Sequence, residues 1–383
     1  MALASAVACS THSGIVPGLQ PVSSAAATPA PHGLLPLHVN GADKAGLNLR
    51  LQVAGGSPLP YLFDTGSSGL WVYFNAAGPR KNYKSTHLRT TNTYSSGIVY
   101  EGTVVRTNVA FENGLTAASV PVVIVDGAGC ATKSCPAQVT AQNCPNVYKR
   151  HPRDHAGVLC LEEGRALFGT FGADIEPALV PSPSPPATAP PGPVVLYNVL
   201  FGIAPWATTF VVVAPHELQL GPRDAATAGF TYVKMSPKPL ATDLPNGARS
   251  WERDVNLCYT IGSYVKRACI ATVFDTGAHN VEFQTETPFA IPTQPAGCEF
   301  VVKGLAFALA RGDRTTIGSF STGYSANYNA AHLATPKPGK TPEVNTGLTF
   351  YNRDEILFDA AHGRVGLRPL PAPGHLARSG CSG

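Results

Sequence analysis

Short apolar runs separated by turn-forming residues recur along the chain. The segment from Leu47 to Val53 alternates apolar and polar residues, and similar runs cover 194–201 and 209–213. Such runs are typical of strands, and alternation indicates one buried face. Clusters of Gly, Pro, Asn and Ser separate the runs, and no long segment has helical periodicity. The pattern therefore predicts an all-β protein.

Two of these apolar runs lead into the same triplet, Asp-Thr-Gly. The first run, Tyr61 to Val72, contains Asp64, and the second, Ala271 to Asn280, contains Asp275. One such triplet is weak evidence, because these residues are common in turns. Two copies, each after Phe and a β-prone run, indicate two halves of one fold that present one carboxylate each.

Paired carboxylates suit the hydrolysis of a peptide bond without a metal or a cofactor. Two carboxyl groups held about 3 Å apart cannot both ionise at low cost, so they share one proton. The ionised member can take a proton from water while the protonated member polarises the scissile carbonyl. Asp64 and Asp275 are therefore predicted to be catalytic.

The triplet blocks resemble those of the pepsin-like aspartic peptidases. A third block, Phe350–Pro369, is similar to the closing strand pair of that family, with Phe358-Asp359 on one strand and Gly363 in the turn. The resemblance covers roughly residues 35–370 and favours a divergent bacterial or plant-inhibitor-like member. It implies a bilobal, pepsin-like double β-barrel fold with an active-site cleft between the lobes. It also implies a monomeric endopeptidase that cleaves extended polypeptides.

The resemblance assigns roles to the residues around each carboxylate. Gly66 and Gly277 let the backbone approach the carboxylates closely. Thr65 and Thr276 form a pair that crosses between the lobes, and Ser67 bonds the outer oxygen of Asp64.

A flap hairpin is expected at residues 92–109. Tyr94 is the preferred flap tyrosine, Tyr100 is the second choice, and Gly97 lies in the turn. The indole of Trp71 is expected to donate to the flap tyrosine.

The second block departs from the family pattern. Ala278 replaces the usual hydroxyl residue and His279 follows it. Loss of a hydroxyl that stabilises the carboxylate predicts raised pKa values for the pair and a mildly acidic optimum; the alternative is that Ala278 is a packing choice. His279 fits a neutral packing residue better than a catalytic one.

The motif that supports each catalytic loop, two apolar residues and Gly, is also altered. Cys160 stands where Gly is usual in 156–161, and Asn345-Thr346-Gly347 lacks the apolar pair. These changes leave open an alternative: a catalytically inactive protein-binding or inhibitor module.

The domain prediction has four parts. Residues 1–32 form a disordered tail or the remnant of an export signal, 33–228 the N-terminal lobe, 229–370 the C-terminal lobe and 371–383 a C-terminal tail. The proline-rich segment 181–193 is placed in a surface loop, because proline cannot join a central strand ladder. The boundary near 228 rests on the strand-like sequences at 218–224 and 229–235.

Composition excludes several other functions. Charged residues make up 14% of the chain and the net charge is +4, too small and dispersed to suggest nucleic acid, and no apolar run is long enough for a membrane span. His151 and His155 fit a solvated loop better than a metal pair, and no Gly-x-Ser-x-Gly elbow accompanies Ser67 and Ser68.

Nine cysteines lack zinc spacing and predict disulfides in an extracytoplasmic compartment, secreted or periplasmic. Candidate pairs are Cys258–Cys269 and Cys130–Cys135. Because nine is odd, at least one cysteine is unpaired, modified or removed, and Cys9 is the candidate.

Overall fold

The computed structural model describes residues 32–39, 46–94, 98–130, 159–161, 165–181, 193–214, 216–223, 227–240, 242–278, 280–284, 291–293, 301, 304–322, 331–334 and 342–371. Gly97, His151, His155 and His279 lie outside these residues, as do Cys9, Cys135, most of both predicted tails and most of the proline-rich segment.

The described residues are organised almost entirely as strands. The strands are β1 (Gly33–Pro36), β2 (His38–Val39), β3 (Leu47–Val53), β4 (Leu59–Asp64), β5 (Ser68–Tyr73), β6 (Lys84–Thr93), β7 (Ile98–Phe111), β8 (Thr116–Cys130), β9 (Leu159–Leu161), β10 (Arg165–Leu167), β11 (Gly169–Ala173), β12 (Ala178–Val180), β13 (Val194–Leu196), β14 (Thr209–Val213), β15 (Glu217–Leu220), β16 (Thr231–Lys234), β17 (Val255–Ile261), β18 (Val265–Val273), β19 (Val281–Gln284), β20 (Ala306–Ala310), β21 (Thr316–Ser321), β22 (Ala331–Ala334), β23 (Glu343–Asn345), β24 (Asp354–Asp359) and β25 (Arg364–Pro369).

Helical structure is limited to single turns in this part of the chain. The α-helix α1 spans Gly347–Tyr351, and 3-10 turns span Arg80–Asn82, Val199–Gly202, Pro205–Thr208 and Pro245–Gly247. None of the described helices is both long and apolar enough to cross a membrane. The all-β prediction is confirmed.

The first half of the chain forms an eight-stranded sheet that closes on itself. Its order is β2-β3-β4-β11-β5-β8-β7-β6, and β3 also pairs with β7. The extra pairing closes six neighbouring strands of the sheet, in the order β3-β4-β11-β5-β8-β7, into a barrel. The burial of β3 alternates in its second half, where Leu51 and Val53 are buried and Arg50 is exposed, as its sequence predicts.

The second half forms a seven-stranded sheet with the order β21-β20-β17-β18-β23-β19-β22. β17 and β18 are antiparallel neighbours, and the predicted disulfide Cys258–Cys269 joins opposite positions of the pair. The predicted Cys130–Cys135 loop lies mostly outside the described residues.

A six-stranded sheet draws its strands from both halves of the chain. Its order is β1-β15-β14-β24-β25-β16. The predicted closing pair is present as the β24–β25 hairpin. β16 follows the predicted boundary at residue 228 directly and pairs with β25. The division into lobes at that position remains a proposal.

The buried side chains form a main hydrophobic core that runs through both halves. Aromatic rings pack behind each triplet: Phe63 stacks on Phe171, and Phe274 meets Phe350 edge to face. Burying one such ring stabilises the fold by about 2–3 kcal/mol. The loops that carry the two carboxylates therefore rest on rigid supports.

Candidate active site

Asp64 and Asp275 lie at the ends of corresponding strands. Asp64 is the last residue of β4, and Asp275 follows β18 by two residues. β11 runs parallel to β4, and β23 runs parallel to β18 in the same relation. Both residues are buried: Asp64 is 5% exposed and Asp275 is 9% exposed.

The glycine of each triplet holds its own carboxylate and faces the other. The Gly66 amide donates to Asp64 Oδ1 at 2.9 Å, and the Gly277 amide donates to Asp275 Oδ1 at 2.6 Å. A Cβ atom on Gly66 would lie 2.4 Å from Asp275 Cγ. A Cβ atom on Gly277 would lie 2.6 Å from Asp64 Oδ1 and 3.0 Å from Asp275 Oδ1. The two inner oxygens thus surround one point, and only glycine leaves room for them.

The two threonines cross between the triplets as the resemblance implies. The Thr65 amide donates to Thr276 Oγ1 at 3.1 Å, and the Thr276 amide donates to Thr65 Oγ1 at 3.0 Å. The Thr65 hydroxyl donates to Phe274 O at 2.7 Å, and the Thr276 hydroxyl donates to Phe63 O at 2.6 Å. These four bonds hold the two carboxylate loops in one register.

A further contact to this pair was not predicted from the sequence. The hydroxyl of Tyr351, at the end of α1, lies 2.8 Å from Thr65 Oγ1. Because the Thr65 hydroxyl already donates to Phe274 O, the tyrosine hydroxyl is the donor in this contact. Tyr351 is fully buried.

The pKa of Asp64 is raised by its surroundings. Burial is the main cause that raises the pKa of Asp64 well above its usual range, and the charge of Asp275 and a hydrogen bond with it raise it further. The Ser67 hydroxyl, 2.6 Å from Asp64 Oδ2, and the Gly66 amide act in the opposite direction. Asp64 is therefore suited to hold the shared proton.

The second carboxylate keeps an outer hydrogen-bond donor despite Ala278. Asn345, at the end of β23, donates from Nδ2 to Asp275 Oδ2 at 2.5 Å. The supporting strand thus supplies an outer donor to Asp275, and the pH optimum predicted from Ala278 stays a prediction. In the sequence, Asn345 stood out only because the motif that supports the second loop has an apolar residue at this position in the family.

The support behind the first loop was assigned to the wrong segment. β11 lies beside β4 with Gly172 opposite Asp64, whereas 159–161 form the small hairpin strand β9. A Cβ atom on Gly172 would come within 2.6 Å of Ser67 O, so the glycine is needed there. Thr170-Phe171-Gly172 was missed because it has one apolar residue before glycine rather than two.

The segment predicted to form a flap contains the β6–β7 hairpin, and its role as a flap stays a prediction. Tyr94 follows β6, its amide donates to Ile98 O at 2.9 Å, and its ring meets Tyr100 edge to face. Burial is the main cause that raises the pKa of Tyr94, and the charge of Asp64 adds to it. Gly97 lies outside the described residues.

Trp71 does not make its expected contact. Its indole donates to Ser68 O at 3.2 Å. This carbonyl lies three residues earlier in β5 and occupies the donor that was predicted to reach the flap tyrosine.

One group of acidic residues could offer oxygens to a metal ion. Glu176, Glu252 and Asp254 place one carboxylate oxygen each within 4.8 Å of one another. Glu176 is already paired with the ammonium group of Lys238 and accepts from the Arg253 amide at 2.9 Å. Glu176 is therefore already held by an ion pair and an amide.

The chain is similar to aspartic peptidases in a sequence-family comparison and in a structural one. The model of the PE-PGRS C-terminal aspartyl peptidase-like domain matches residues 34–173, a stretch that contains Asp64 but not Asp275. Among solved structures, the aspartic proteinase from Irpex lacteus is similar with a TM-score of 0.55 and 15% identity, over 88% of this chain and 97% of that chain. The fold is that of the pepsin-like aspartic proteinases.

The pepsin-like fold confirms the resemblance and the bilobal architecture predicted from the sequence. No curated protein matches the chain. At 15% identity the structural likeness concerns the fold alone, so the roles of individual residues rest on the contacts described above.

Proposed function

We propose that this protein is an aspartic endopeptidase in which Asp64 and Asp275 activate a water molecule. The observation that carries the proposal is the approach of the two carboxyl groups, each aligned by the glycine amide of its own triplet. Bringing two carboxyl groups together inside a protein costs free energy, because each disfavours ionisation of the other. A binding surface has no need of this arrangement, whereas an acid–base pair requires it.

Each carboxyl group has a distinct part in the reaction. Asp64, whose pKa is raised by burial and by Asp275, holds the proton and polarises the scissile carbonyl. Asp275 is ionised and takes a proton from the attacking water. The tetrahedral intermediate then collapses as the amine leaves with a proton from the pair. No metal ion or cofactor takes part.

The substrate is an extended polypeptide bound in the cleft between the lobes. Tyr94 lies at the end of the hairpin strand β6, where a flap can close over the substrate and exclude water. We also propose that the protein acts as a monomer. Its place is outside the cytoplasm, because the Cys258–Cys269 disulfide is favoured in an oxidising compartment.

The proposal predicts cleavage of a denatured protein substrate at acidic pH. Cleavage is expected to be blocked by pepstatin and lost in both Asp64→Asn and Asp275→Asn. The raised pKa of Asp64 keeps the shared proton in place at higher pH, so the optimum is expected to be mildly acidic. The measurement is the initial rate between about pH 2 and pH 7, a range that includes the higher macroscopic pKa of known carboxylate pairs.

The outcomes separate this proposal from the alternative of an inactive binding module. A folded protein that cleaves nothing across this range would favour the binding module. An optimum near pH 2 on a stable protein would contradict the proposed proton distribution. Asn is nearly isosteric with Asp, so circular dichroism of both variants can establish that their fold is unchanged.

A further inference from the structure

The amide of Asn345 has a fixed orientation. Its Oδ1 accepts from the Gly347 amide at 2.9 Å, which leaves Nδ2 to face Asp275 Oδ2. A backbone amide can only donate, so the opposite assignment of the side-chain oxygen and nitrogen would lose both bonds. The side chain thus presents a donor, and only a donor, to the carboxylate.

The register of the sheets shows that, among the described residues of the first half of the chain, the position equivalent to Asn345 gives Asp64 no such donor. Leu62 pairs with Thr170, and Val273, which stands at the same distance before its triplet, pairs with Asn345. Thr170 is therefore the equivalent of Asn345, yet Asp64 takes its outer bond from Ser67 on the loop. The two carboxylates receive their outer donors from different elements.

These donors also differ in chemistry. A hydroxyl such as that of Ser67 can donate to an ionised carboxylate or accept from a protonated one, because it carries both a proton and lone pairs. An amide NH₂ group can only donate. A proton on Asp275 Oδ2 would point at another hydrogen, whereas a proton on Asp64 Oδ2 can be accepted by Ser67.

We propose that Asn345 is a positioning residue that fixes Asp275 as the ionised member of the pair, in place of the hydroxyl that Ala278 lacks. The inference rests on the proposed peptidase function and gives its two carboxylates unequal roles. Asn345 acts through Asp275 and need not touch the substrate.

The test uses two substitutions at this position and one compensating change. Asn345→Ala and Asn345→Leu both remove the donor, and Asn345→Leu keeps a side chain of similar size without adding a charge or a second acid. Both are expected to lower kcat by about ten- to hundredfold, as loss of a hydrogen bond to a charged group does, with little change in KM. The acid limb of the pH–rate profile is expected to move up by about one unit, equivalent to about 1.4 kcal/mol.

The decisive variant is Asn345→Ala combined with Ala278→Ser. Residue 278 lies three positions after Asp275, as Ser67 lies three positions after Asp64. A hydroxyl there is therefore expected to restore most of kcat and to return the acid limb of the pH–rate profile to its wild-type position. A purely structural role of Asn345 would not be rescued in this way. The matched control is Asn82→Ala, which removes a side-chain amide that donates to Ala54 O at 2.8 Å and to neither catalytic carboxyl group, and its profile is expected to be unchanged.

Two results would overturn the inference while leaving the peptidase function intact. One is full activity in Asn345→Ala, and the other is a loss that Ala278→Ser does not restore. If the wild type cleaves nothing, titration of ¹³C-labelled aspartate carboxyl groups by NMR gives the answer without turnover. The inference then requires that Asn345→Ala raise the lower pKa of the pair, and an unchanged titration refutes it.

Discussion

Thr65 and Thr276 are equivalent residues with unequal surroundings. Each hydroxyl donates to a backbone carbonyl and accepts an amide of the opposite triplet, but Thr65 also accepts from Tyr351. This extra bond ties α1 of the second half to the first carboxylate loop. We therefore expect Tyr351 to contribute to both the stability and the alignment of the site.

The substitution Tyr351→Phe is predicted to lower the free energy of unfolding by about 1 kcal/mol, the usual net value of one hydrogen bond. A small loss of kcat is also expected, because the loop of Asp64 becomes less constrained. The measurement is urea denaturation with a parallel cleavage assay. The matched control is Tyr61→Phe, since the Tyr61 hydroxyl is buried without a partner and its removal is expected to be neutral or stabilising. Equal stability of both variants would contradict the role of Tyr351.

The residues adjacent to each triplet could be predicted from the sequence, and those that approach it from elsewhere could not. Gly66 and Ser67 bond Asp64 within its own turn, so the resemblance of this local motif is enough to identify them. Asn345 lies 70 positions from Asp275, and Tyr351 lies 286 positions from Thr65. Their contacts depend on strand register and on the packing of α1, which a local pattern does not contain.

β17 and β18 form a crosslinked strand pair next to the second carboxylate loop. β18 leads into the loop of Asp275, and the Cys258–Cys269 disulfide joins it to β17. The crosslink restricts the unfolded chain and stabilises this pair.

Replacing both cysteines with alanine is predicted to lower the free energy of unfolding by about 2–3 kcal/mol, the range for a short closed loop. Denaturant unfolding with and without a reductant measures the effect. The reductant is expected to destabilise the wild type by more than the variant. An identical response of the two proteins would show that the disulfide contributes nothing.

Strand identity was easier to predict than strand partnership. The alternation in Leu47–Val53 and the β24–β25 block gave the correct elements because their patterns are local. The segment that supports the first loop was predicted at the wrong place, because only one apolar residue, Phe171, stands directly before Gly172, where the family motif has two. Its position beside Asp64 follows from the parallel pairing of β11 with β4, a contact between distant parts of the sequence.

Across both halves of the fold, buried carboxyl groups couple stability to pH. Burial is the main cause that raises the pKa of Asp174 to about 8 and that of Asp354 to about 7. Groups whose pKa is higher in the folded state bind protons more tightly there. The stability that they contribute is fully present below their unfolded pKa of about 3.9 and is lost as the pH rises through 7 and 8.

The free energy of unfolding is therefore predicted to fall by a few kcal/mol between about pH 5 and pH 8, since each unit of pKa shift corresponds to about 1.4 kcal/mol. In Asp174→Asn the fall is expected to be smaller, because the amide is neutral at every pH and can still accept from the Glu176 amide as Asp174 Oδ1 does. Urea denaturation at both pH values measures this. The same pH dependence in variant and wild type would rule out Asp174 as a cause.

The activity itself depends on one arrangement, two carboxyl groups from the two halves of the chain acting on one water molecule. The most direct measurement is the initial rate of cleavage of an unfolded protein at mildly acidic pH by the wild type, Asp64→Asn and Asp275→Asn. We predict cleavage by the wild type, inhibition by pepstatin and no detectable cleavage by either folded variant. Undiminished cleavage by either variant would show that the paired carboxylates are not the catalytic groups.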